Sequence, residues 1–286
     1  MPSNKYLKLK NKWVDKHRKL SESLWTKHKK HLDWLSKNSK QLAVGSLGSL
    51  ILVSNPLPQN LTLTKDVGVE KSEPINKSVF LITELKNLLP EEVRPLTADE
   101  EASISAVISR DFNMSVRSEI EGKRLNRSYG LIGAEQHLAR YPGDTMSSHF
   151  ASQEDTSLYY SSGMAPGLGA WRYFADSEET MTEEESSREK YYIAVQTFLA
   201  ENFSQRFSEY RDFFRFRKML VVNPDNGKGV VVVIGDAGPA VWTGKHLGGS
   251  PEVMSYLQRH DGAQRGPVLY FFIDDPENKI PLGPVK

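Results

Sequence analysis

The most chemically suggestive feature of the chain is an acidic residue at the end of an apolar run, with glycines on both sides. Val230 to Ile234 leads directly into Gly235-Asp236-Ala237-Gly238-Pro239. A carboxyl placed there can face a cleft without crowding. It can move protons as a general acid or base, or it can serve a turn by accepting backbone N–H bonds. Shortly after it, Trp242, Thr243, Lys245 and His246 bring an indole, a hydroxyl, a cation and an imidazole into one loop. Such a loop suits a sugar with acyl substituents, and the same residues equally suit an exposed connection to a helix cap at Ser250.

A second polar concentration runs from Glu119 to Phe150, with Glu121, Glu135, His137 and Asp144 as candidate second acids or polar partners and glycines at 122, 130, 133 and 143. Carboxylates, imidazoles and guanidiniums are what acid–base work or sugar binding would use, and also what a solvated, ion-paired surface uses. His137 and His149 lack a compact ligand motif such as H-E-x-x-H, so no metal is expected, and no cofactor motif is present. Gly-Lys-Gly at 227–229 lacks the spacing and strand-to-helix context of a phosphate loop, and no nucleophile elbow occurs. Trp171 and Tyr173 follow a stretch punctuated by Gly163, Gly167 and Gly169, where rings either stack on a sugar face or fill a core.

The elements that must position these groups can be read in outline. Met219 to Val222 and Val230 to Ile234 flank Asn223-Pro224-Asp225-Asn226-Gly227, a strong hairpin signal. A helix is expected from Ser250, with Pro251 at its first position, through Leu257, followed by a strand from Val268 to Ile273. Ser78 to Leu89 predicts a short helix ended by Pro90, and Thr97 with Glu100 predicts a capping box opening a helix to about Arg110. Helices are expected from about Thr182 to Ala200, with Tyr192, Val195 and Leu199 on one face, and from Phe203 to Arg217.

Taken together, Val221-Val222-Asn223, Asn226-Gly227-Lys228, Val231 to Ile234, Asp236 and Gly238-Pro239, followed by Gly244-Lys245 and the Ser250 helix, resemble the central hairpin of double-psi β-barrels of the rare lipoprotein A type. Related barrels occur in expansins, some endoglucanases and membrane-bound lytic transglycosylase A, which act on or loosen wall polysaccharides. The resemblance implies a six-stranded barrel with its core at about 165–275 and Gly169 to Phe174 as a first strand. It also implies that Asp236 serves as acid and then base while a hydroxyl of the substrate attacks intramolecularly. Burial against apolar strands would favour the protonated carboxyl this requires. Two departures are visible: the acid these barrels place just before the last helix is replaced by Gly248-Gly249, and no histidine is matched to the one these barrels carry.

Composition sets the surroundings. The 286 residues include no cysteine, which excludes disulfides, thiolate metal sites and a cysteine nucleophile. Residues 1–40 hold 11 Lys and one Arg against Asp15, Glu22 and Asp33, a net +9 that leaves the remainder at −8. Trp13, Leu20, Leu24 and Leu35 recur near helical spacing, so this arm can form a cationic amphipathic helix. Leu42 to Val53 is uncharged and spans about 18 Å as a helix at ~1.5 Å per residue. A positive segment followed by an apolar run has the layout of a secretory signal or signal-anchor, and a buried soluble helix is the alternative.

The expected organisation is therefore a basic cytoplasmic arm at 1–40, a signal or anchor segment at 41–57 and a linker with a short helix at 58–96. A globular α+β domain follows at 97–286, a double-psi-like β-barrel with helical insertions. The expected function is a peptidoglycan-acting enzyme at the cell envelope, lytic transglycosylase-like or glycoside hydrolase-like, with membrane contact through 41–57. A non-catalytic module binding wall glycan or an envelope partner is the alternative. Nucleic acid is not expected, because the basic arm leads straight into an apolar segment and the rest is acidic. A reporter fused after Pro90 should be active outside the cytoplasm; activity confined to the cytoplasm would contradict this topology.

Overall fold

The computed structural model describes residues 77–259 and 265–285, so the arm and the apolar segment at 41–57 lie outside the described residues. Among those described, no helix is long and apolar enough to cross a membrane. Two helices open the described part, α1 (Lys77–Leu88) and α2 (Ala98–Phe112). The expected capping box is present: the Thr97 hydroxyl accepts from Glu100 N, and the Glu100 carboxylate accepts from Thr97 N. Leu81 and Leu85 of α1 and Ile104 and Ile108 of α2 are buried in one cluster with Leu220, Val222, Leu269 and Phe271. The helix pair thus covers one outer face of a sheet.

That sheet closes on itself. Its strands are β4 (Tyr129–Ala134), β5 (Tyr192–Val195), β6 (Lys218–Val222), β7 (Gly229–Ala237), β8 (Leu247–Gly249) and β9 (Arg265–Ile273). The pairing runs β9-β4-β8-β5-β7-β6 and returns from β6 to β9, a closed six-stranded mixed barrel. β4 with β8 and β5 with β7 are parallel; the other four pairings are antiparallel. β1 (Val116–Arg117) extends β9, β10 (Gly283–Pro284) extends β7, and β2 (Glu119–Ile120) pairs with β3 (Lys123–Arg124). Alternation sorts the side chains: Met219, Val221, Val230, Val232 and Ile234 fill the interior, while Leu220, Val222 and Val231 face the helices. Both faces are buried, which is why these strands read as continuous apolar runs.

The remaining helices are α3 (Gln153–Tyr159), α4 (Glu183–Lys190), α5 (Phe207–Phe214) and α6 (Pro251–Leu257). Three expectations are corrected. The helix expected from Thr182 to Ala200 stops at Lys190, because Tyr192 to Val195 is needed as a barrel strand with all four side chains buried. Gly169 to Phe174 is a connection and not the first strand; the barrel begins at Tyr129 and so occupies 129–273, well upstream of the expected 165. The helix expected over 203–217 is shorter, Phe207–Phe214.

Past β9, Asp275 stitches the final turn to β6. It accepts from the Lys218 ammonium at 2.8 Å and from Lys279 N and Ile280 N, each at 2.9 Å. Burial opposes its charge, but the bonds from Lys218 and the two N–H groups outweigh it and hold the carboxyl below its ordinary 3.8. A depressed carboxylate stabilises the fold above its unfolded-state value and loses that contribution as pH falls. Asp275→Asn should cost about 1–3 kcal/mol at neutral pH and flatten the acid limb of Tm against pH. An unchanged acid limb would contradict this.

Candidate functional site

Asp236 owes its direction to one extra residue. In the parallel pairing of β5 with β7, Ile193 stands opposite Ile234, but the next partner of Ala194 is Asp236, so Gly235 is bulged out. Ile193 and Ile234 face the interior, and simple alternation would send residue 236 inward as well. The bulge instead places it opposite Ala194, which points outward between the interior residues Ile193 and Val195. Only glycine suits the bulge, since a Cβ at 235 would stand 2.6 Å from Tyr192 Cβ. The Trp171 indole N–H donates to the Ile234 carbonyl at 3.1 Å, fixing the strand just before the bulge.

The Asp236 carboxyl is half-buried and not enclosed by apolar strands. Its Oδ1 accepts from Ala170 N at 2.6 Å and Ala237 N at 2.7 Å, and a Cβ at Gly169 would lie 3.3 Å from its Cγ. Oδ2 takes no hydrogen bond among the described residues. One oxygen is therefore gripped by two backbone donors and the other left open.

A second carboxylate shares this outer face. Gly248 of β8 is opposite Ala194, in the same rung as Asp236, and a Cβ at 248 would sit 2.1 Å from Glu135 Oε1. Glu135 occupies the space a side chain at 248 would need, and it arrives there from the end of β4. Two strand spacings, on the order of 10 Å, separate the backbone at 248 and 236. Lys245 Nζ donates to Glu135 Oε1 at 2.6 Å and to the Ala134 carbonyl at 3.1 Å. Glu135 also lines a cavity of about 510 Å³ with Gln136, Tyr159, Ser162, Met254 and Arg259, in which Asp236 takes no part.

Between the two acids runs the loop that follows Pro239. Gln196 Nε2 donates to the carbonyls of Pro239 and Lys245, at 3.0 and 3.2 Å, and so pins both its ends. Trp242 on its short 3-10 turn is 88% exposed, an unusual position for an indole. The Thr243 hydroxyl donates to Ala240 O at 2.7 Å and accepts from Lys245 N, shaping the turn. His246 lies against β4: its Nδ1 accepts from Leu131 N at 2.9 Å, and its Nε2 is 3.0 Å from Arg127. Burial and the Arg127 charge push its pKa down, keeping the ring neutral.

The other sequence candidates disperse. Trp171 is packed in the barrel interior and Tyr173 is half-buried beyond it. Glu121 stands at φ 55° in the turn between β2 and β3, 3.9 Å from Arg217. His137 and Asp144 enter a buried network that also holds Arg140, His149 and Glu189. Burial alone would lower the His149 pKa, but its bonds to Asp144 and Glu189 raise it to about 9. Burial likewise opposes the charges of Asp144 and Glu189, yet their partners hold both carboxyls below the ordinary range. Glu189 escaped sequence analysis because it sits in a solvated-looking acidic helix, Glu183-Glu184-Glu185-Ser186-Ser187-Arg188-Glu189.

Comparison with protein-family models, curated proteins and solved structures finds no match to this chain. The site therefore stands on its own geometry. Gly248→Ala should displace Glu135 and cost about 1–3 kcal/mol by overpacking. Adding Glu135→Ala to that variant should recover most of the lost Tm. Equal melting of wild type and Gly248→Ala would show that Glu135 does not occupy this space.

Proposed function

We propose that this chain is an envelope protein whose barrel acts on peptidoglycan or a related wall glycan in the manner of a lytic transglycosylase, with Asp236 as acid and then base. The observation that carries this reading is the pose of the Asp236 carboxyl, bulged onto an outer face with one oxygen held and the other open. The protonated Oδ2 donates to the glycosidic oxygen as the C–O bond breaks. The carboxylate then takes a proton from a hydroxyl of the same sugar as that oxygen closes on the anomeric carbon. Charge and protons balance within the substrate and one side chain, and no water is consumed.

The neighbours support a glycan. The exposed Trp242 indole offers an apolar plate for a sugar face. The Lys245–Glu135 pair supplies donors and acceptors for hydroxyl and acyl groups. Glu135 is also the carboxylate that would activate water if the reaction were a hydrolysis with two acids. The two parallel strand pairs inside a closed six-stranded barrel support the likeness to double-psi barrels. In this proposal the basic arm stays cytoplasmic, 41–57 engages the membrane and the barrel lies outside. A non-catalytic glycan-binding module is the second reading, favoured by the two N–H bonds to Oδ1, which a turn aspartate also makes.

Asp236→Asn separates them, because the amide keeps the shape but cannot deliver the proton. Fragment release from purified wall should fall by about 10²-fold or more while Tm stays near wild type. A purely structural aspartate would instead cost about 1–3 kcal/mol of stability. A variant that melts normally and releases fragments at the wild-type rate would remove Asp236 from the chemistry.

A further inference from the structure

His137 is fully buried, and its two ring nitrogens have no hydrogen-bond partner. Nδ1 stands 3.4 Å from Glu189 Oε1 but out of line with it. An imidazole sealed from water normally has both nitrogens satisfied, because burial strips its hydration and an unpaired nitrogen gets nothing in return. The same hollow holds His149, whose Nε2 is 3.1 Å from Glu189 Oε2. One ligand atom from each of His137, His149 and Glu189 lies within 4.8 Å of the others.

We propose that His137, His149 and Glu189 bind a divalent transition-metal ion of the zinc class. Two imidazole nitrogens and one carboxylate oxygen form a borderline donor set that suits zinc, whereas magnesium and calcium prefer oxygen alone. Ligands about 2.0–2.1 Å from a tetrahedral ion are spaced about 3.3 Å apart. The 3.1 Å contact of His149 Nε2 with Glu189 Oε2 already matches that edge length, and His137 Nδ1 stands against the other oxygen of the same carboxylate. Small side-chain rotations would bring the two imidazoles into the same shell.

The surroundings are those of a metal-bound histidine. His149 Nδ1 is 3.0 Å from Asp144 Oδ2, which accepts from Arg140 Nε at 2.9 Å. A proton on Nδ1, donated to Asp144, leaves the Nε2 lone pair aimed at Glu189, the tautomer a metal needs. Glu189 Oε1 accepts from Leu138 N at 2.9 Å, leaving Oε2 as the ligand oxygen. The fourth position falls to a water molecule. All three ligands are buried, so the ion would be shielded from bulk solvent. It would clip the segment 137–149, just after Glu135, onto α4, whatever the barrel acts on.

The alternative is a buried ion-paired network with a proton where the metal would be. The full chain, purified without chelator and dialysed against metal-free buffer, should retain about one zinc per molecule by elemental mass spectrometry. Chelation should lower Tm by several degrees, and zinc, not magnesium, should restore it. Cobalt(II) in place of zinc should show the intense visible bands of a four-coordinate ion. His137→Gln and Glu189→Gln should weaken zinc binding at least 10-fold, and Asp144→Asn about 10-fold through loss of ring orientation. Wild-type chain that takes up no zinc, with Tm indifferent to chelator and zinc, would overturn the proposal. So would His137→Gln holding zinc as tightly as wild type. The wild-type metal content and cobalt spectrum decide the matter even if a variant fails to fold.

Discussion

The register shift between β5 and β7 is the constraint on which the site depends. Parallel strands keep side-chain parity, so a residue two positions after the interior Ile234 belongs inside the barrel. A carboxylate there would be buried in hydrocarbon at prohibitive cost. Bulging Gly235 moves Asp236 to the outer rung of Ala194 and Gly248 without disturbing the core behind it. The neighbouring choices follow: Gly235 must lack a side chain because Tyr192 is in contact, Gly169 must be small because Asp236 is beneath it, and Trp171 must be long enough to reach the Ile234 carbonyl.

The same logic explains the pair of glycines that looked like a missing acid. Gly249 points inward, where a Cβ would meet Ile132, Val253 and Met254; Gly248 points outward, where a Cβ would collide with Glu135. Both positions are filled from elsewhere. The outer position at 248 is filled by the Glu135 carboxylate, which reaches the same rung from β4 and is tied to Lys245 at 2.6 Å. If the buried histidine cluster binds a metal, the polypeptide just after Glu135 gains a rigid anchor on α4.

Much of this was legible in the residues, and the failures have physical causes. The hairpin at 218–237, the Thr97 box and the Ser250 cap were readable because turn and cap chemistry is local. β5 was mistaken for helix because its four residues are buried on both faces and carry no alternation to distinguish them from an apolar helix face. β4, Tyr-Gly-Leu-Ile-Gly-Ala, was hidden by glycines that weaken a strand signal; Gly130 is needed because His246 lies 2.9 Å from where its Cβ would be. Asp236 stands out as a candidate in the sequence by its flanking glycines. The contact of Glu135 with Gly248 is between residues more than a hundred positions apart, and no local pattern encodes it.

The proposed intramolecular reaction, with Asp236 as acid and then base, would leave a signature in the product. Purified wall sacculi incubated with the full chain should release fragments whose new ends lack the water that hydrolysis adds, each lighter by one water in the mass spectrum. Released ends that have all gained a water would contradict the single-acid mechanism and transfer the role of base to Glu135. Release of nothing by folded protein that still binds the sacculi would contradict catalysis altogether.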